Sequence, residues 1–193
     1  MQSIVVYCGS SSGKNEIYSQ TAYALGKELA KRNIRLIYGG GNMGLMGRVS
    51  DGSLENNGSV TGIIPNFLAK LEVAQKTLTE LHFVETMHER KAHMVSLSDG
   101  VIALPGGYGT FDELFEILTW AQLEIFEGPV GVLNINGYYN LLLLQLDKMV
   151  EEGFLAETNR KLLIVSDNIN TLLDNMEAFK LKNPENKPLD KSL

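Results

Sequence analysis

The residues best suited to chemistry lie in the run Pro105-Gly106-Gly107-Tyr108-Gly109-Thr110-Phe111-Asp112-Glu113. Small residues let a backbone wrap closely around an anion, and a helix starting near Thr110 would aim its first N–H groups and positive end at it. Each charge-assisted hydrogen bond to a phosphate held this way contributes about 1.5–3 kcal/mol. Thr110-x-x-Glu113 also fits a capping box, in which both side chains satisfy orphan amides of the helix start. The two roles agree for Thr110 and compete for the Glu113 carboxylate. At about 100° per residue, Phe111, Leu114, Phe115, Leu118 and Ala121 form one apolar face expected to meet the sheet. Glu113 falls away from that face, near Ile117 and Trp120, where an apolar wall would raise its pKa toward values useful for proton transfer.

A second group lies on a helix expected from Met87 to Ser98. Met87, Met94 and Leu97 mark its apolar stripe, and Arg90 and Lys91 fall on the same stripe. Long cations are almost never fully buried without partners. Either these two snorkel at the domain edge or they face anions in a site at the sheet edge.

Two further glycine-rich turns follow strands. Gly9-Ser10-Ser11-Ser12-Gly13 offers hydroxyls and amides near a helix start, suited to an anion or simply to a connection. Gly39 to Gly44 contains a formal G-x-G-x-x-G, the dinucleotide fingerprint. That motif also needs a carboxylate at the end of the next strand, and here Val60 to Ile64 runs into Pro65-Asn66. Close backbone packing or phosphate approach suits these glycines better than a nicotinamide cofactor. Glu85-x-x-His88 is half of a paired carboxylate metal motif that has no second copy, and His88 and His93 do not share a helix face, so no metal is expected. Cys8 has no sequence-evident activating base.

The elements that must position these residues alternate along the chain. Strands are expected at Ile4–Cys8, Arg35–Tyr38, Val60–Ile64, His82–Val84, Gly100–Leu104, Pro129–Leu133 and Leu162–Ser166. Helices are expected at Glu16–Lys31, after Gly44, at Met87–Ser98, Thr110–Ile125, Tyr138–Glu152 and Asn170–Ala178. Between Pro65 and His82 a polar segment suits a short helix and a loop able to lean over the site. Alternation of this kind gives an α/β fold: a Rossmann-like, doubly wound parallel sheet with helices on both faces, binding its ligand at the carboxyl ends of the strands. Residues 1–180 are expected to form a single Rossmann-like domain, and 181–193 a flexible polar tail.

Composition sets the remaining bounds. The 193 residues carry a net charge of −6 with no basic stripe, which argues against nucleic acid or an anionic membrane as partner. A single cysteine excludes an intramolecular disulfide framework. The amino terminus does not have the pattern of a signal peptide, and no apolar stretch is long enough to span a bilayer, so a cytoplasmic setting is expected. An anionic ligand would be repelled by the average field, so its site must supply local positive charge and aimed donors.

Taken together, PGGYGTFDE and Met87-His88-Glu89-Arg90-Lys91-Ala92-His93-Met94 resemble the LONELY GUY family of cytokinin riboside 5′-monophosphate phosphoribohydrolases. The likeness covers nearly the whole chain, from Tyr7-Cys8-Gly9-Ser10-Ser11 through Gly44-Leu45-Met46-Gly47 and Leu118-Thr119-Trp120-Ala121 to Asn136-Gly137-Tyr138-Tyr139-Asn140 and Glu151-Glu152-Gly153-Phe154. The resemblance implies a homodimer that hydrolyses the N-glycosidic bond of purine riboside 5′-monophosphates, with water as second substrate and no cofactor. By the same resemblance Arg90 and Glu113 serve catalysis. Substrate contacts carry over to Glu72, Arg90, Lys91, Gly107, Tyr108, Gly109, Thr110, Phe111, Asp112, Glu113 and Thr119. Some family members bear a lysine decarboxylase label, but no pattern here points to a pyridoxal phosphate lysine. Bacterial relatives are regarded as general AMP nucleosidases, so the base need not be a cytokinin. A non-catalytic nucleotide or cofactor carrier on the same fold is the alternative.

Overall fold

A computed structural model of the protein describes residues 1–69 and 77–182. In chain order the elements are β1 (Ser3–Tyr7), α1 (Glu16–Lys31), β2 (Arg35–Tyr38), α2 (Gly44–Leu54), β3 (Val60–Pro65), α3 (Asn66–Ala69), β4 (Glu80–Val84) and α4 (Met87–Ser96). They continue as β5 (Gly100–Ala103), α5 (Tyr108–Gln122), β6 (Val130–Leu133), a 3-10 turn (Ile135–Gly137), α6 (Asn140–Glu151), α7 (Glu157–Arg160), β7 (Leu163–Ser166) and α8 (Ile169–Lys182). Among the described residues, these strands form one parallel sheet in the order β4-β3-β2-β1-β5-β6-β7.

Alternating residues of the strands feed two cores, as the period-2 geometry of a strand requires. Ile4, Val6, Leu36, Tyr38 and Ile102 face α1, α2 and α8 through Leu25, Leu29, Val49 and Leu172. Val5, Tyr7, Ile37, Val101 and Val132 face α4, α5 and α6 through Met94, Leu114, Ile117 and Leu146. The strands are therefore apolar on both sides, the composition expected of a sheet covered twice.

Strand order reverses at β1, which pairs with β2 on one side and β5 on the other. At this switch point the connections leave in opposite directions and open a crevice beyond the carboxyl ends of the strands. The turn after Tyr7 and the turn after Ala103 both open there. Gly9 N donates to Pro105 O across the opening, and Leu45 N, at the start of α2, donates to Gly9 O.

Several boundaries differ from the sequence expectation. Pro65 does not stop β3 but ends it, paired with Val84, and the short helix anticipated beyond it is α3. α4 ends at Ser96, where Ser98 was expected. α8 continues through Leu181 and Lys182, so the expected tail begins as helix. Its remaining residues, 183–193, lie outside those described, and so does Glu72.

Candidate active site

The site is built where α4 and α5 meet the sheet. Thr86 caps α4, accepting from Glu89 N at 3.1 Å. The capped helix directs Arg90, Lys91, Met94 and Val95 inward. Arg90 and Lys91 are both buried, 8% and 7% exposed, so they do not snorkel.

Arg90 is fixed by backbone carbonyls. Its Nε donates to Ile63 O at 3.1 Å and its Nη2 to Gly39 O at 3.4 Å, tying the guanidinium to the ends of β3 and β2. Its Nη1 lies 4.0 Å from Glu113 Oε1. The space at Gly39 is needed for this: a Cβ there would stand 1.9 Å from Nη2. Gly44, also part of the G-x-G-x-x-G run, has φ +59 and packs so closely that a Cβ would lie 2.3 Å from the Ser10 backbone. Of the two readings these glycines allowed, packing against the protein's own groups therefore accounts for both positions.

α5 starts earlier than expected. Its cap is Gly107, with no side-chain hydrogen bond, so no capping box forms. Thr110 is buried and turns back over Gly106, while Glu113 turns inward with Leu114 and Ile117. This corrects the face assigned from hydrophobicity. Phe111 and Leu118 are only partly buried and Phe115 is 37% exposed, while Glu113 lies on the inner face. The polar turn faces inward toward Arg90, and part of the apolar stripe is left outside. Gly107 and Gly109 meet nothing within 4 Å of a would-be Cβ, and Tyr108 is fully outside, so the first turn of α5 opens outward with its orphan amides.

Burial dominates the electrostatics of Glu113. It pushes the carboxyl up to about 7, against the pull of Arg90 and Lys91 and with help from Asp112 and Glu116. The carboxyl thus changes charge near neutral pH. Tyr7 and Cys8 line the same place at the end of β1; burial, then the charge of Glu113, raises both and keeps them protonated. Lys91 contacts two carboxylates, Asp112 Oδ2 at 3.1 Å and Glu116 Oε1 at 3.0 Å.

Of the residues singled out by sequence, Arg90, Lys91, Thr110, Asp112, Glu113 and the Gly107–Gly109 turn come together. Phe111 sits on the flank of the same helix against Tyr139, ring centroids 5.8 Å apart. Thr119 does not join them within the chain: it is exposed and donates back to Phe115 O at 2.8 Å. Two residues that sequence reasoning passed over support the glycine turn. Tyr139, fully buried, donates to Leu104 O at 2.6 Å, and Tyr138 donates to Gly106 O at 2.5 Å. Nothing in their spacing signals the role, since the partners are backbone atoms some thirty residues earlier.

Similarity to known proteins agrees with the geometry. A family model described as "Possible lysine decarboxylase" matches residues 46–176. The cytokinin riboside 5′-monophosphate phosphoribohydrolase LOG5 of Arabidopsis thaliana is 49% identical over 177 residues, 92% of this chain and 78% of that protein. The probable cytokinin riboside 5′-monophosphate phosphoribohydrolase LOGL2 of Oryza sativa subsp. japonica is 48% identical over 91% of this chain and 72% of its own length. Among solved structures, the molybdenum cofactor binding protein of Rippkaea orientalis superposes with TM-score 0.70 at 20% identity, covering 92% of this chain and 97% of that one. The Moco carrier protein of Chlamydomonas reinhardtii gives 0.68 at 18%, covering 93% and 98%. At those identities the likeness shows a shared Rossmann-like fold. With nearly half its residues identical to proteins named as phosphoribohydrolases along almost its whole length, the chain belongs to the LONELY GUY family.

Proposed function

We propose that the protein hydrolyses the N-glycosidic bond of purine riboside 5′-monophosphates, releasing free base and ribose 5-phosphate. The observation that carries this is the buried Arg90–Glu113 pair, 4.0 Å apart, beside the open first turn of α5. The 5′-phosphate sits on the amides of Gly107 to Thr110, where the helix end supplies the positive potential that a chain of net charge −6 otherwise lacks. As the bond from C1′ to the base breaks, the electron pair leaves with the base and positive charge develops on the ribose. Ionised Glu113 faces that charge, takes the proton of the water that attacks C1′ and passes that proton on to the departing base. A carboxyl titrating at about 7 is a far better base than an ordinary glutamate and is still largely ionised above neutrality. Arg90, locked on Ile63 O and Gly39 O, orients the phosphoribosyl group.

The names of the sequence relatives support hydrolysis over the carrier alternative. Lys91 is ill suited to a Schiff base, because its amine is held as an ammonium between two carboxylates. The base is a purine, either plain adenine or an N6-modified adenine of the cytokinin type, and the relatives' names point to the latter. Residues 1–180 act as one catalytic domain in the cytoplasm, where nucleotide monophosphates are made. A second copy covers the exposed apolar flank of α5, and Thr119, outside this chain's own site, lies on that helix and would be presented to the partner.

Purified protein incubated with AMP and with isopentenyladenosine monophosphate should release free base from at least one, measured by chromatography. Glu113→Gln should lower release by at least about 10²-fold with the fold intact. AMP bound without release from either nucleotide would favour the carrier.

A further inference from the structure

Lys91 is buried in the site, yet the chemistry above makes no use of it. Its Nζ lies 3.1 Å from Asp112 Oδ2 and 3.0 Å from Glu116 Oε1, and its side chain is 9% exposed. These two carboxylates stand one residue before and three residues after Glu113, so they flank it along α5. Lys91 itself follows Arg90 on α4. Three acids thus share little more than one turn of helix, and two adjacent cations of the facing helix meet them.

We propose that Lys91 is a positioning residue: pinned between Asp112 and Glu116, it ties α4 to α5 and offsets the two carboxylates flanking Glu113, so that Glu113 and Arg90 stay face to face in working charge states. The inference rests on Glu113 being the proton-transfer group of the proposed reaction. Burial works against the ammonium, but the hydrogen bonds from Glu116 and Asp112 outweigh it and raise its pKa, so the cation persists. A charge already met by two carboxylates attracts a substrate phosphate only weakly. The groups facing Glu113 are Arg90 and Lys91 from α4, Asp112 and Glu116 from its own helix, and Tyr7 and Cys8 from β1. Of these, Lys91 is the cation that touches the flanking acids.

The test titrates the Glu113 carboxyl directly, by carbon NMR on protein labelled at glutamate carboxyls, with the signal assigned by its loss in Glu113→Gln. Lys91→Met should move the midpoint up by about one pH unit, and Lys91→Arg should return it close to wild type. Glu116→Gln, which leaves Lys91 with one carboxylate, should move it down and serves if Lys91→Met does not fold. An unmoved midpoint in Lys91→Met, with a raised KM for AMP, would overturn the proposal and make Lys91 a substrate contact; an unmoved midpoint in Glu116→Gln would overturn it as well. Because the midpoint is read without turnover, a wild-type protein that releases no base would sink the hydrolase proposal and leave this result standing.

Discussion

Arg90 shows how a buried cation becomes specific. A guanidinium has donors in a fixed fork, and here two of them are taken by carbonyls at the ends of β3 and β2, leaving Nη1 toward Glu113. A lysine ammonium also carries three donors, but all on one nitrogen, so it does not reproduce the fork that spans these acceptors. The same geometry explains Gly39, whose missing side chain makes room for Nη2. Gly39→Ala should push the guanidinium aside and lower base release by about 10²-fold, with an unchanged circular dichroism spectrum. Activity close to wild type would mean that the Arg90 position does not matter to the reaction. At this scale the sequence was informative about residue types: Arg90, Lys91 and Glu113 stood out as charges on or near apolar faces. It did not reveal that Lys91 would be claimed by Asp112 and Glu116, because those contacts join two helices twenty residues apart in the chain.

Helices α4 and α5 carry the site, and each brings a titrating group with an opposite effect on stability. On α4, His93 Nε2 meets Nδ1 of His82 on β4 at 3.0 Å. Burial, then the charge of His82, lowers the His93 pKa below the ordinary 6.5. The folded protein then binds fewer protons there than the unfolded chain, so its contribution is complete above pH 6.5 and is lost as pH falls below that value. Glu113 on α5 is raised from 4.5 to about 7, so the folded state holds a proton the unfolded chain has released, and stability falls as pH rises through that window. Thermal unfolding at several pH values separates the two. His93→Gln should flatten the loss of stability below pH 6.5. The stability of Glu113→Gln relative to wild type should grow from pH 4.5 to 8 by on the order of 3 kcal/mol. Parallel pH curves for wild type and Glu113→Gln would show that the carboxyl titrates near its usual value. Periodicity located both helices to within a few residues, but it set the inner face of α5 off by part of a turn: Leu114 is buried as expected, whereas Phe115 is exposed and Glu113 lies inside. An amphipathic pattern ranks faces by hydrophobicity, and α5 has apolar residues on two flanks, so its rotation follows from packing against α4 and the sheet.

For the whole molecule, the unbalanced feature is the outer surface of the α5 and α6 layer. Phe115, Leu123, Leu141, Leu144 and Phe154 are exposed there or just beyond the helix ends. Several large apolar side chains left exposed on one layer of a fold point to a contact surface. The proposed homodimer should therefore sediment at twice the 21.3 kDa of the chain. Phe115→Glu combined with Leu123→Glu should reduce it to the single chain, while Lys27→Glu, on α1 across the sheet from α5 and α6, should not. A wild-type protein that remains a monomer at high concentration would remove the dimer, and with it any role for Thr119 in a partner's site. Among the described residues no helix is long and apolar enough to cross a membrane.

By itself the sequence determined the order and type of the seven strands and the main helices, though not the short α7 or the 3-10 turn, together with the glycine-rich turns at the strand ends and the short set of charged residues from which a site could be made. Those are local properties: hydrophobic period, turn residues and caps act within a few positions of the chain. Only the tertiary structure decided that β1 and β5 lie side by side, that α5 turns Glu113 toward Arg90, and that burial lifts this carboxyl to about 7. Strand order and helix rotation follow from how distant faces pack, and a pKa follows from everything within a few ångströms, whatever its distance along the chain.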